Sequence, residues 1–366
     1  MAVEQNRRAP VLDLSRPAAI AVEIDVAEAA EVLMSICAVA DPGDHDTYDL
    51  GAEWLEERLE SVPEDLREQV LALRLGDMKV AAHLLGIVYE LPQPRTFASF
   101  LERLGQLDPA ELKLHLFGHY DATSTHFAPG LVERAAAGDG AAIAQVLEEL
   151  SKWSDKHELY RELLQLDGEE LKRRLLGLLP RWYEHVFAPH EQEWRQAAER
   201  DAEAKRALAA KSSPEQLVEL ATRGYHYTPP PGIRTIAFFP SWFTRPWVIL
   251  WEHKGTKIFC YPIAPAAEEA AAPAEVARVY KALGDEGRLK LLRRLSEGPL
   301  KLSEAAAELG VAKSTAHHHL AILRQAGFVT IRDEDENVYS LRTDLPQTGE
   351  LLLSYLGVSR SSATSP

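Results

Sequence analysis

Residues 302–327 read LSEAAAELGVAKSTAHHHLAILRQAG, and this stretch decides the fold of the C-terminal part of the chain. A short helix over Ser303–Leu309 is stopped by Gly310, and a longer helix over Ala312–Gly327 follows. Ala306 and Gly310 stand four apart, a small residue where two helices touch and a glycine where the chain turns. That is the spacing of a helix-turn-helix. Leu309 and Val311 flank the turn as apolar anchors, and Ala316, Leu320 and Leu323 recur at helical intervals to give the second helix an inner face. Upstream, Glu275–Leu283 reads as a helix, and Asp285 can cap another over Arg288–Ser296 that ends near Gly298-Pro299. Downstream, Phe328–Arg332 and Val338–Arg342 are strand-like runs around Asp333–Asn337. Residues 275–345 are therefore expected to form a winged helix-turn-helix of α+β class.

Outward from this module, Ala264 to Pro273 is low in complexity and bounded by prolines, so 264–274 reads as a linker. Before it come three strand-like runs, Ile233–Phe239, Trp247–Trp251 and Lys257–Tyr261. Gly255 supplies a positive φ for a hairpin between the last two. An aromatic-rich antiparallel sheet over 233–262 is expected. From residue 17 to this sheet the chain reads as a succession of helices. Asp108-Pro109 and Ser213-Pro214 offer N-caps with proline at the first helical position, and Gln216 completes a capping box. Glu191–Ala210 reads as a long, mostly exposed helix. The fold class expected is mainly α with small β: a helical domain over 17–263, then the winged helix and a C-terminal helix over 346–358. The tails 1–16 and 359–366 read as disordered.

A chain of 366 residues is too long for one ordinary core, which agrees with two domains. No apolar run reaches the length of a membrane span, and the N-terminus has no apolar stretch behind its arginines. The cysteines, Cys37 and Cys260, make no disulfide framework and suit a reducing cytoplasm. The net charge of −16 argues against nucleic acid until its distribution is read. Residues 1–272 carry 28 basic against 44 acidic side chains, whereas 276–332 carry 10 against 5. Any DNA contact is thus confined to the C-terminal module. No Walker A loop, GxGxxG fingerprint, GxSxG elbow or CxxC pair occurs, so an enzyme is not the expectation.

The landmarks ALGD (282–285), RLKLLRRL (288–295), SEGPL (296–300), ELG (308–310), HL (319–320), LRQAG (323–327) and VY (338–339) stand in order. In them the last quarter of the chain resembles the winged-helix domain of the ArsR (arsenical-resistance repressor) family. The order of features also resembles ArsR-type regulators with a long N-terminal domain of unknown function. The resemblance implies a cytoplasmic bacterial repressor, active as a homodimer on a palindromic operator of double-stranded DNA and released by an effector. It implies dimer contacts through the helices at 275–283 and 349–356.

Within such a domain the start of the second helix enters the major groove. Lys313, Ser314, Thr315, His317 and His318 are the candidates for DNA contact, with Arg332 and Arg342 at the wing base for backbone phosphates. Asp333–Glu336 put four carboxylates at the wing tip, which phosphates repel, and Ala312 stands where a serine or threonine cap is usual. No cysteine lies in the module, so thiolate metal sensing is not expected, and no cofactor is implied. Consecutive helix positions point about 100° apart, so His317, His318 and His319 do not converge on one ion. His115 and His119 would share one helical face, with His126 nearby, as weak metal candidates. Phe238, Trp242, Trp247, Trp251, Phe259 and Tyr261 are candidates to line a small-molecule effector pocket, although aromatic rings are more often plain core. Two other readings stay open: a protein-interaction regulator that has lost DNA binding, and an enzyme with a DNA-binding tail.

Overall fold

The structure, a computed structural model, describes residues 20–43, 45–73, 80–120, 127–152, 157–263, 272–332, 337–345 and 348–357. Both expected tails, most of the linker, His126 and the acidic wing tip lie outside the described residues. The chain begins with β1 (Ala21–Ile24) and α1 (Glu28–Val39). Then come α2 (Ala52–Ser61), α3 (Glu64–Ala72), α4 (Val80–His83), α5 (Leu85–Glu90), α6 (Phe97–Gln106), α7 (Pro109–Phe117), α8 (Leu131–Ala136) and α9 (Gly140–Ser151). They are followed by α10 (His157–Gln165), α11 (Gly168–Trp182), α12 (Glu191–Ala209) and α13 (Pro214–Thr222). Helix α1, EAAEVLMSICAV, is buried from Ala29 to Val39, and the polar residues within that span, Glu31 and Ser35, are buried and hydrogen-bonded. A helix buried on every side sits inside a core. Trp182 on α11 reaches it and donates its indole N–H to Ser35 at 3.0 Å.

The caps read from the sequence are present. Asp108 accepts from the amide of Ala110 at 2.9 Å, and Ser213 and Gln216 exchange the two bonds of a capping box. Helix α12 is less exposed than its composition suggests. Trp194, Ala198, Asp201 and Ala202 lie along one side and are buried.

Strands β2 (Tyr225–His226), β3 (Thr235–Ser241), β4 (Ile249–His253) and β5 (Thr256–Pro262) follow. One sheet has the order β1-β3-β5-β4. The β4–β5 pair is the expected hairpin, turning through Lys254 and Gly255, both at positive φ. The expectation of an antiparallel sheet is corrected in the rest. β1 pairs with β3 in parallel and β3 pairs with β5 in parallel, so the sheet is mixed. The reason is twofold: β4 lies on the outer edge of β5, so that β3 and β5 run side by side in the same direction, and β1 joins from the far N-terminus, a pairing that sequential distance hides.

This sheet separates two cores, because both of its faces are covered. Ala237, Phe239, Ile258 and Cys260 face the helical core around α1. Ile236, Phe238, Phe259 and Tyr261, the intervening positions, face a second core built largely from the C-terminal module.

That module contains α14 (Ala272–Leu283), α15 (Glu286–Leu295), β6 (Leu300–Lys301), α16 (Leu302–Leu309), α17 (Lys313–Gln325), β7 (Val329–Arg332), β8 (Val338–Leu341) and α18 (Thr348–Tyr355). Helix α14 begins inside the stretch read as linker. The second sheet runs β2-β7-β8-β6, so a strand from before the linker pairs in parallel with the wing. Leu217, Val218 and Ala221 of α13 and Tyr225 join Leu291, Leu320 and Leu323 in one cluster. The winged helix and the N-terminal region therefore share buried apolar surface, the largest stabilising term available to them.

Candidate nucleic-acid interface

Gly310 ends α16 at φ 68°, the left-handed conformation that glycine adopts without a Cβ penalty. The amide of Val311 donates back to Ala306 at 3.1 Å, closing the turn. Ala316, Leu320 and Leu323 are fully buried, as their spacing implied. Val311 is not an anchor; it is 37% exposed, because the turn points its side chain to solvent. Asp285 caps α15 by accepting from the Arg288 amide at 2.9 Å. Arg288 in turn donates to the carbonyls of Ala282 and Lys281 at the end of α14. Helix α17 starts after Ala312 with no side-chain cap.

At 100° per residue, the stripe of α17 opposite Ala316, Leu320 and Leu323 runs through Ser314, His318, Ala321 and Gln325. In a helix-turn-helix this is the stripe that meets base edges. Here it divides. Lys313, Ser314 and Thr315 are exposed. Beyond them the helix is docked on the N-terminal region. The His317 ring lies 4.7 Å from Trp247, and His318 lies 6.3 Å from it. Burial pushes the His318 pKa below the ordinary histidine value, with the carboxylates of Asp46 and Asp49 opposing that shift. Ala321 is 4% exposed and belongs to the helical core. Gln325 donates to the Pro246 carbonyl at 2.9 Å. Arg324 is buried and donates to the carbonyls of Thr222 and Pro246, and burial lowers its pKa to about 10.

The other candidates fall in different places. Arg332 is exposed at the end of β7, whereas Arg342 is clamped by both oxygens of Asp344 at 2.9 Å. The three consecutive histidines divide: His317 and His318 lie toward Trp247, at 4.7 and 6.3 Å, whereas His319 approaches Asp285 at 3.7 Å.

The six candidate pocket rings are not gathered around one space. Phe238, Phe259 and Tyr261 pack on the second core, where the Tyr261 hydroxyl donates to Asp201 at 2.7 Å. Trp242 packs edge-on against Trp54, Trp247 donates to the Thr47 hydroxyl at 3.1 Å, and Trp251 lies 4.3 Å from His83. These three belong to the other face or its rim. A cavity of about 370 Å³ lies instead among α3, α4, α7, α10 and α11, lined by Leu73, Val80, Leu116, Leu163 and Leu175 with Arg174 at its edge.

The expectation that His115 and His119 share a helical face is corrected. Helix α7 ends at Phe117, and Gly118 at φ 78° turns His119 toward Glu133. His115 instead meets Glu90 and Glu111, with all three ligand-type atoms within 4.8 Å of one another. Arg103 bridges both carboxylates, at 3.4 and 3.2 Å. Lys254 and His253 approach Glu90 at 2.5 and 2.9 Å. The hydrogen bond from His253, then Lys254, holds the Glu90 carboxyl well below the usual carboxylate range against its burial. Burial, aided by His253, lowers the His115 pKa to about 3. Two carboxylates already face two permanent cations, so a divalent ion would add uncompensated positive charge to a partly desolvated site. The cluster is an internal ion-pair network.

A glycine-turned helix pair followed by a two-stranded wing defines the class: a winged helix-turn-helix DNA-binding protein. The profile described as "Bacterial regulatory protein, arsR family" matches residues 285–330. The chain is similar to "Uncharacterized HTH-type transcriptional regulator YceK" of Bacillus subtilis (strain 168), 39% identical over 75 residues, 20% of this chain and 75% of that protein. It is similar to "Cadmium resistance transcriptional regulatory protein CadC homolog" of Staphylococcus aureus, 40% identical over 68 residues, 18% of this chain and 56% of that protein. It is likewise similar to "HTH-type transcriptional regulator NmtR" of Mycobacterium tuberculosis (strain ATCC 25618 / H37Rv), 38% identical over 68 residues, 19% of this chain and 55% of that protein. The chain thus spans three quarters of one relative and just over half of the other two. No solved structure matches the chain significantly. The chain belongs to the arsR family of bacterial regulatory proteins, as a transcriptional regulator. No helix among the described residues is long and apolar enough to cross a membrane.

Proposed function

We propose that the protein is a dimeric repressor of the bacterial cytoplasm that reads a palindromic operator and answers a small molecule through its first 263 residues. One observation carries the DNA reading: Lys313, Ser314 and Thr315 stand exposed at the first turn of α17. Lysine suits phosphate or guanine, and the two hydroxyls suit phosphate or base edges. Arg332, exposed at the end of β7, suits a phosphate contact from the wing; Arg342 would first have to leave Asp344, and His317 and His318 the surface around Trp247.

The dimer is supported by α14 and α18. The Tyr280 hydroxyl donates to the Thr348 carbonyl at 3.4 Å. Tyr280, Tyr355 and Leu356 are 41, 46 and 58% exposed on this pair, apolar area that a second copy would cover. The effector reading is supported by the leucine-lined cavity, whose volume lies in the range of small-molecule pockets. Metal sensing by thiolates has no support, since both cysteines are buried in the helical core.

Gel shifts with the DNA upstream of the chain's own gene, titrated with salt, test the central claim. A specific complex lost steeply as salt rises is expected, and no complex at about 50 mM salt overturns it. A monomer in light scattering at micromolar concentration overturns the dimer. Unchanged melting and tryptophan fluorescence across a ligand panel overturns the effector. A second reading, an interaction regulator that no longer binds DNA, is favoured by the docked stripe of α17, and the same gel shifts separate the two.

A further inference from the structure

We infer that the N-terminal region and DNA compete for the same stripe of α17, so that the conformation described above is the one that excludes the duplex. The inference rests on the DNA-binding reading. Of the outward positions, only Ser314 is open; His318, Ala321 and Gln325 are half-buried or buried against the N-terminal region. The covering surface has two parts. The first is the 242–248 connection between β3 and β4, which sets the Trp247 ring on His317 and the Pro246 carbonyl on Gln325 and Arg324. The second is the turn around Thr47, whose hydroxyl accepts from the Trp247 indole at 3.1 Å and whose Asp46 and Asp49 charges act on His318. Both parts are unlike anything a base edge would tolerate beside it: one is a bulky ring, and the other is anionic and repels phosphate.

The covering surface is itself held firmly. Glu31 on α1 accepts from the amides of Trp242 at 2.7 Å and Phe243 at 3.0 Å, which fixes the start of the connection. Trp247 donates to Thr47 at 3.1 Å and the Asp49 amide donates to the Arg245 carbonyl at 2.8 Å, which joins the two parts. A duplex approaching α17 therefore meets the first helical turn and then the N-terminal region. Reading more than that turn requires the helix to leave Trp247 and Pro246.

The test uses the full chain and duplex DNA of the upstream region, with a scrambled duplex as reference. Binding is followed by fluorescence anisotropy at about 50 mM salt. Ala321→Gln adds four heavy atoms where the helix meets the core. Overpacking there costs the docked state and costs a solvent-filled groove little, so binding is expected to tighten about tenfold. In the wild-type chain, hydrogen exchange of residues 244–248 is expected to speed up when DNA is added, because α17 no longer covers them.

Equal affinity of wild type and variant, with exchange at 244–248 unchanged by bound DNA, overturns the competition while leaving DNA binding intact. Absence of binding by both chains overturns the competition and the DNA reading together. If circular dichroism shows the variant unfolded, the wild-type exchange measurement decides alone.

Discussion

Replacing Glu31 by glutamine probes how the helical core grips the connection that covers α17. The Glu31 side chain is 1% exposed, and burial raises its pKa from 4.5 to about 8. The amides of Phe243 and Trp242, the Ser241 hydroxyl and the charge of Arg245 oppose that rise without cancelling it. The sign follows from proton linkage. Below pH 4.5 both folded and unfolded chains hold the proton, and Glu31 makes no pH-dependent contribution. Between 4.5 and 8 the unfolded chain releases the proton while the folded chain keeps it, so stability falls as pH rises. At about 1.4 kcal/mol per pH unit of difference, the wild type loses roughly 2 to 3 kcal/mol between pH 5.5 and 7.5 from this group. Glutamine does not titrate. The Glu31→Gln chain should therefore gain roughly 2 to 3 kcal/mol on the wild type across that interval, whatever its offset at pH 5.5. Urea unfolding of both chains at constant ionic strength, followed by tryptophan fluorescence, measures the difference. A stability gap that does not change with pH refutes the reasoning, because it would mean that Glu31 is ionised inside the core at neutral pH.

Three further outcomes follow from the interface. Ala312→Ser places a hydroxyl at the uncapped start of α17, where the backbone is already extended, and should raise stability by about 1 kcal/mol; an unchanged melting temperature counts against it. Arg324→Met removes this donor from the Thr222 carbonyl and leaves the Pro246 carbonyl with Gln325 alone, and should cost about 2 kcal/mol in denaturant unfolding. A cost under about 0.5 kcal/mol would show the contact to be incidental. Lys313→Ala removes an exposed charge at the first turn, and the slope of log affinity against log salt should fall by about 0.9; an unaltered slope removes Lys313 from the phosphate contacts.

The winged helix was legible because its determinants are local. Gly310 must turn, Asp285 must cap, and Ala316, Leu320 and Leu323 must repeat at helical spacing; each constraint acts within a few residues of itself. The hairpin at Lys254-Gly255 and the caps at Asp108 and Ser213 were legible for the same reason. The mixed sheet was not, since pairing β1 with β3 joins residues about 200 positions apart, and nothing in either strand names its partner. Likewise, the six aromatic rings read alike in sequence, but period-two alternation and sheet topology send them to different sides.

The feature with the most consequence belongs to tertiary structure. Local sequence predicts the helix α17 and makes Lys313, Ser314, Thr315, His317 and His318 its candidates for DNA contact. Only the three-dimensional arrangement decided that His317 and His318 lie against Trp247 while the first turn stays exposed. Trp247, Pro246 and the turn near Asp46 are apolar or polar residues of no special pattern, and they meet α17 because β2 adds to the wing sheet and Phe238, Phe259 and Tyr261 bury themselves against the same core. The hydrophobic effect is non-directional and acts between surfaces regardless of their distance along the chain. Spacing within a helix therefore fixes which face is free to act, and burial elsewhere determines whether that face is free at all.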